Sequence, residues 1–206
     1  MRQEREMPDR PDTFEWSGGH PALDLVNTRD ERPSPSPIEN LATWQDLVRF
    51  VELARLVEPS LAARLPKPEA RAGARIVQRA QRLREHLHDV LLCGHLGQPV
   101  SQSHLDAISV AIQAAHAARR LVASQSPGVA GHDWSRPLAP EIPLHACSLA
   151  VERLLVDEDR VTIRKCGAGD CGVFFLDTSK GGRRQWCSMK SCGNRQKQRR
   201  WRSSVR

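Results

Sequence analysis

Apolar residues recur at three- and four-residue spacing in four stretches of the 206-residue chain, and each stretch reads as an amphipathic helix. Thr43-Trp-Gln-Asp46 has the Thr-x-x-acidic pattern that satisfies the first free backbone N–H groups of a helix, and Trp44, Leu47, Val48, Val51 and Ala54 continue it to a stop before Pro59. From about Glu69 to Cys93, the positions Ile76, Ala80, Leu83, Leu87 and Val90 mark one face of a second helix, with Gly94 suited to the left-handed residue that ends it. Ser103-His-Leu-Asp106 opens a third, carried by Leu105, Ile108, Ile112 and Ala115 to near Val122. A fourth runs from about Pro143 to Leu155, with Pro in the first turn, where a missing N–H costs nothing.

Between these helices the pattern breaks. Ala22 to Val26 is a short apolar run without helical period and reads as an extended or turn-flanked segment. Arg29 to Pro37 alternates Pro with Ser and reads as an exposed connector, and Ser124 to Pro140 as a loop or irregular hairpin. The expected class is α+β: a predominantly helical N-terminal part over residues 1–157, then a small module over 158–206.

Charge separates the same two parts. The chain carries a formal net charge of +7, yet residues 160–206 hold thirteen Lys and Arg against Asp170 and Asp177, a net +11, leaving the rest at −4. Such asymmetry points to a polyanionic partner. Apolar residues make up 39%, with no run of about 18 that could span a bilayer, so no membrane partner is expected. The opening MRQEREMPDR alternates Arg and Glu where an export signal needs an apolar stretch, which suggests a reducing cytoplasm.

Four of the six cysteines gather in the basic module as C-x4-C-x15-C-x4-C: Cys166, Cys171, Cys187 and Cys192. Four thiolates in two turn-held pairs suit one structural zinc ion and leave no open position for catalysis. Two disulfides, or four buried thiols, are the competing readings. A reducing compartment disfavours the first, and a segment this small and charged could not fold on apolar burial alone, which disfavours the second. Val173 to Leu176 could pair antiparallel with Arg184 to Trp186 across a turn at Asp177 to Gly182. The stretch after Cys192 is helix-forming, so the order is knuckle, hairpin, ligand pair, helix: that of a treble-clef finger. Cys93 and Cys147, on predicted helices, read as buried hydrophobes.

On the last helix Arg195, Arg199 and Arg202 share one face, Lys197 and Arg200 widen the stripe, and Trp201 is expected to pack inward. Arg183, Arg184 and Lys190 flank the metal ligands. With its zinc centre the module keeps about +9, dense repulsion that phosphates would relieve. These eight cations are the candidate nucleic-acid contacts. DNA is the favoured partner and RNA the alternative, the latter needing exposed aromatics such as Trp186 or Trp201.

Cys192-Gly-Asn-Arg195, with Cys187-Ser-Met upstream and Phe175-Leu-Asp-Thr-Ser-Lys180 before it, resembles the CGNR zinc-finger family at all four cysteines. His20-Pro-Ala-Leu-Asp-Leu-Val-Asn-Thr28 resembles the start of the ABATE domain that accompanies this finger in bacterial proteins. The resemblance implies stress-induced transcriptional regulation, with a DNA-binding treble-clef finger and an α+β body that binds an unidentified ligand. His20, Asp24, Asn27 and Thr28 are the candidate ligand contacts, unless they bond the local backbone and fix a turn. A homodimer fits the same reading.

No catalytic constellation stands out: there is no HExxH, no phosphate-cradling Gly loop before Lys-Ser/Thr and no GxSxG. His86 and His88 are two apart and do not share a helix face. A non-enzymatic regulator is expected, the alternative being a protein-interaction finger attached to a small-molecule enzyme without a familiar motif.

Overall fold

The computed structural model describes residues 14–124, 126, 128–156 and 162–204. The opening ten residues and the expected boundary at 157/158 lie outside the described residues. Among the described residues no helix is long and apolar enough to cross a membrane. The class is α+β, with a helical N-terminal body and small strands in the C-terminal region.

The run Ala22 to Val26 is helical, not extended: α1 spans Pro21–Asn27. His20 caps it, its Nδ1 accepting from the Ala22 N–H at 3.2 Å, and Pro21 occupies the first turn. Residues 22 to 27 are all buried, so the helix has no polar face and its sequence no amphipathic period. Two residue pairs, β1 (Arg29–Asp30) against β2 (Ile38–Glu39), then pin the ends of the Pro/Ser connector.

The expected capping box is present on α2 (Trp44–Leu53): the Thr43 hydroxyl accepts from the Asp46 N–H while Asp46 accepts from the Thr43 N–H. This helix ends sooner than Pro59, because Arg55 turns the chain at φ +55°, and a single turn, α3 (Pro59–Ala62), follows. The long helix α4 (Ala70–Leu96) runs through Gly94 and stops at Gly97, whose φ of +64° is the left-handed conformation expected three residues earlier.

Ser103 lies inside α5 (Gln102–Ala117) rather than capping it. That helix stops short of Val122 because Arg119–Ala123 becomes strand β3, paired in register with β4 (Ala130–Trp134). The irregular segment is therefore half of a hairpin whose other half the sequence assigned to a helix. The last body helix, α6 (Ile142–Val156), packs centrally: residues 142 to 148 are all buried and it touches α1, α2, α4 and α5.

In the C-terminal module, β5 (Ile163–Lys165) pairs with β6 (Phe174–Leu176). This corrects the expected pairing of 173–176 with 184–186, which touches the knuckle through one bond, from the Gly167 N–H to the Gln185 carbonyl at 2.9 Å. The two strands bracket Cys166 and Cys171. A π-helical turn, Met189–Gly193, then runs into α7 (Asn194–Ser204). Trp201, expected to face inward, is 66% exposed. Cys147 is buried as expected, its thiol pushed up to about 12 by burial, whereas Cys93 is only half-buried.

Two apolar clusters result. The larger joins α1, α2, α4, α5 and α6 and includes Phe174 from the module, while the smaller is Ala168, Val173, Phe175 and the four cysteines, with Trp186 against it.

A four-cysteine centre and the face around it

Cys166, Cys171, Cys187 and Cys192 converge, all buried, with their sulfurs within 4.8 Å of one another. Cys171 Sγ to Cys187 Sγ is 3.9 Å and Cys187 Sγ to Cys192 Sγ 3.6 Å. A disulfide needs about 2.0 Å, whereas tetrahedral thiolates at about 2.3 Å from zinc stand about 3.8 Å apart. The quartet fits the metal. Four thiols this close compete for protons: contacts with Cys171 and Cys187 push Cys166 down, while contact with Cys166, reinforced by burial, pushes Cys171 up to about 12 and Cys187 up as well. A central cation is what allows all four to ionise together.

The chain around the ligands is shaped for them. A Cβ on Gly193 would lie 2.7 Å from Met189 Sδ and 3.2 Å from Trp186, so a larger residue there requires the exposed Met189 side chain to move aside. The Cys187 N–H donates to Cys166 Sγ at 3.5 Å, and Arg195 Nη2 donates to Cys192 Sγ at 3.2 Å. Asp177, in the turn between the ligand pairs, accepts from the Ser179 hydroxyl (2.6 Å), the Ser179 N–H (3.1 Å), the Arg184 N–H (3.0 Å) and Arg164 Nε (2.8 Å). The Ser179 bonds, with the others, hold its carboxyl below the usual carboxylate range.

The eight candidate cations separate into three groups. Arg184 turns inward: its guanidinium lies 4.3 Å over the Phe175 ring and donates to the carbonyls of Cys187, Trp186, Leu176 and Ser17. Arg195 and Arg199 both reach Asp170, at 3.3 and 2.9 Å. They line a cleft of about 650 Å³ that also presents Asp30 and Glu31 from the body. Arg183, Lys190, Lys197, Arg200 and Arg202 are exposed, and none forms an ion pair among the described residues.

The four candidate ligand residues of the body are engaged in holding it together. His20 caps α1, and Asp24 accepts from the Gly18 N–H at 2.9 Å. Burial pushes the Asp24 carboxyl up to about 6, with Glu15 adding to the effect and the Gly18 bond opposing it. Asn27 does most. Its amide donates to the Phe174 carbonyl and accepts from the Phe174 N–H, both at 3.0 Å, like a neighbouring strand, and so fastens the module to α1. Leu176 N–H to the Gly18 carbonyl, at 2.8 Å, is a second fastening. The Thr28 hydroxyl donates to the Leu25 carbonyl at 2.7 Å and lies 3.1 Å from Arg84 Nη1, which donates to it.

Arg84 escaped the sequence reading. It is 2% exposed on α4, paired with Glu39 at 2.6 Å and Glu85 at 2.8 Å. Burial opposes ionisation of Glu85, yet hydrogen bonds and charge from Arg32 and Arg84 hold it at about 2. The signal was present: Val77, Arg84 and Leu91 are seven apart on a buried stripe, and a cation in the middle of one needs a partner.

A family model described as CGNR zinc finger matches residues 162–204, and the ABATE model, described as "Putative stress-induced transcription regulator", matches residues 19–158. Both are of regulator or zinc-finger type rather than enzymatic. A search of curated proteins matched none.

Proposed function

The chain belongs to the ABATE family, with a CGNR zinc finger after the ABATE region, and from that premise we propose a cytoplasmic transcriptional regulator whose finger binds DNA and whose body senses a ligand. The cation of the finger is one zinc ion held by Cys166, Cys171, Cys187 and Cys192. When bound, zinc supplies the cross-link between knuckle and helix; four thiolates complete its tetrahedron, so the role is structural.

The observation that carries the DNA reading is the set of five exposed cations, Arg183, Lys190, Lys197, Arg200 and Arg202, which form no ion pair among the described residues, on and beside the helix that follows the four-cysteine centre. Release of counterions from phosphates by these groups gives affinity. Arg195 and Arg199 contribute less while Asp170 holds them. Arg184 is a positioning residue that supports the surface without reaching it.

Selection from random duplexes by the zinc-loaded full-length protein tests this. With about five phosphates neutralised, log K should fall against log salt with slope near −4 to −5. Lys197→Ala and Arg200→Ala should each reduce that slope by about 1 and leave the zinc in place. A flat salt dependence overturns the mechanism.

One observation favours RNA as a second reading. A groove of about 860 Å³ places Trp16, Trp186 and Met189 beside Arg183 and Lys190, aromatic surface and charge together, as an unstacked base requires. Competition between duplex DNA and structured RNA, read by tryptophan fluorescence, separates the two.

A further inference from the structure

Helix α4 carries His86 and Asp89 three residues apart, on one stripe, opposite His104 in the first turn of α5. The two imidazoles meet through the same atom type: His86 Nδ1 lies 3.1 Å from His104 Nδ1, with the rings inclined at 63°. Metal–imidazole bonds of about 2.0–2.1 Å place neighbouring nitrogens about 2.9 Å apart at octahedral angles and about 3.4 Å apart at tetrahedral ones. The observed spacing falls between these values.

Asp89 Oδ2 stands 3.8 Å from His104 Nδ1, and Asp89 Oδ1 meets His88 Nδ1 at 3.1 Å. Among the described residues the cysteine quartet is the one group of three or more such side chains already fully converged. Here the two imidazole nitrogens lie at hydrogen-bonding distance, and the Asp89 carboxylate, engaged by His88, would have to turn toward them to complete a set of three. The side chains of Asp89 and His104 are 45% and 27% exposed, so a cation can enter from solvent.

We propose that His86, Asp89 and His104 form a second, regulatory metal site for a borderline divalent first-row cation of the Co2+, Ni2+ or Zn2+ type. This rests on the reading of the body as a sensor and names what it senses. Two imidazoles and one carboxylate suit these ions rather than Mg2+ or Ca2+, which prefer oxygen ligands throughout, and they leave positions for water.

The site also has a physical route to the finger. The His88 ring meets Phe174 edge-on at 5.7 Å, and Phe174 is the module residue that enters the body core and is gripped by Asn27. Drawing Asp89 to a metal removes the hydrogen bond that orients His88, and so alters the packing on Phe174.

The test is calorimetric titration of the zinc-loaded full-length protein with Ni2+, with a chromophoric chelator reporting any zinc released from the finger. One equivalent should bind without zinc release, and His104→Ala and Asp89→Ala should each weaken it about tenfold or more. Should either variant unfold, His104→Gln and Asp89→Asn provide the same comparison with volume retained. Absence of that one equivalent of Ni2+, or equal affinity in wild type and both variants, overturns the site while leaving the sensor reading open to other ligands. Ni2+ binding that leaves DNA affinity unchanged keeps the site and removes the sensor reading.

Discussion

The body and the finger fold by different physics. In the body, five helices bury Leu, Ile, Val and Phe side chains against one another, and polar groups inside the core, such as Arg84 and Thr28, answer one another. The finger has few apolar residues of its own. Its small cluster is largely the four cysteines themselves, and its turns are fixed by Asp177 and Arg184. The difference teaches where each half is vulnerable: the body to cavities and unpaired buried charge, the finger to loss of one atom. The halves are not independent, however, because Phe174 of the finger is part of the body's core.

Stripping the metal, or replacing Cys187 by Ser, should have the largest effect. Structural zinc contributes about 10–16 kcal/mol to folding of small modules. The region from Cys166 to Arg202 should lose its protection from hydrogen exchange, while far-UV circular dichroism retains most of the helical signal of α2, α4, α5 and α6. Because Phe174 would leave with the finger, the body should also melt at lower temperature. A body whose melting temperature is indifferent to the metal would show that the Phe174 contact carries no stability.

Asn27→Ala addresses the joint itself and should rank second. It leaves the Phe174 N–H and carbonyl without their partner in a buried place, where each such loss costs about 1–3 kcal/mol. Unlike metal removal it spares both halves, so the expected signature is two separated unfolding transitions in place of one. A single transition, shifted or not, would mean that Gly18, Leu176 and Arg184 are sufficient to couple the halves.

The four-cysteine cluster was legible in the sequence because ligand chemistry is written in residue type and spacing: C-x4-C-x15-C-x4-C leaves few alternatives, and all four sulfurs converge. The long amphipathic helices were legible for a similar reason, since burial on one face imposes a period. What escaped lacks a period. Helix α1 is buried on every side, and β3 follows α5 after a single residue, so the helical pattern of apolar residues runs on where the chain has already turned. The partner of β6 was missed because three-residue strands carry no alternation to read. The basic stripe was legible as charge but not as geometry. Nothing in the order of residues distinguishes Arg184, folded under Phe175, from Arg183 beside it, which faces solvent.

The smallest expected effect concerns Asp24, and it sharpens the comparison by giving the joint a pH dependence. Its carboxyl is raised to about 6 chiefly by burial, against about 3.9 in an unfolded chain. The folded protein therefore binds the extra proton between these values, and by linkage the contribution of Asp24 to stability is present below about pH 4 and is lost as pH rises through about 6. Asp24→Asn keeps an acceptor for the Gly18 N–H but cannot titrate. Other groups move in the same range: burial lowers His88 and His145, whose contribution falls as the solution becomes more acid. Only the difference between the two proteins isolates Asp24. Wild type should gain relative to Asp24→Asn, by about 2 kcal/mol at most, as pH falls from about 6 to 4 in urea unfolding. A flat difference would mean that water or the Gly18 amide solvates the carboxylate well enough to cancel its burial, and the segment that fastens the finger would then be indifferent to pH.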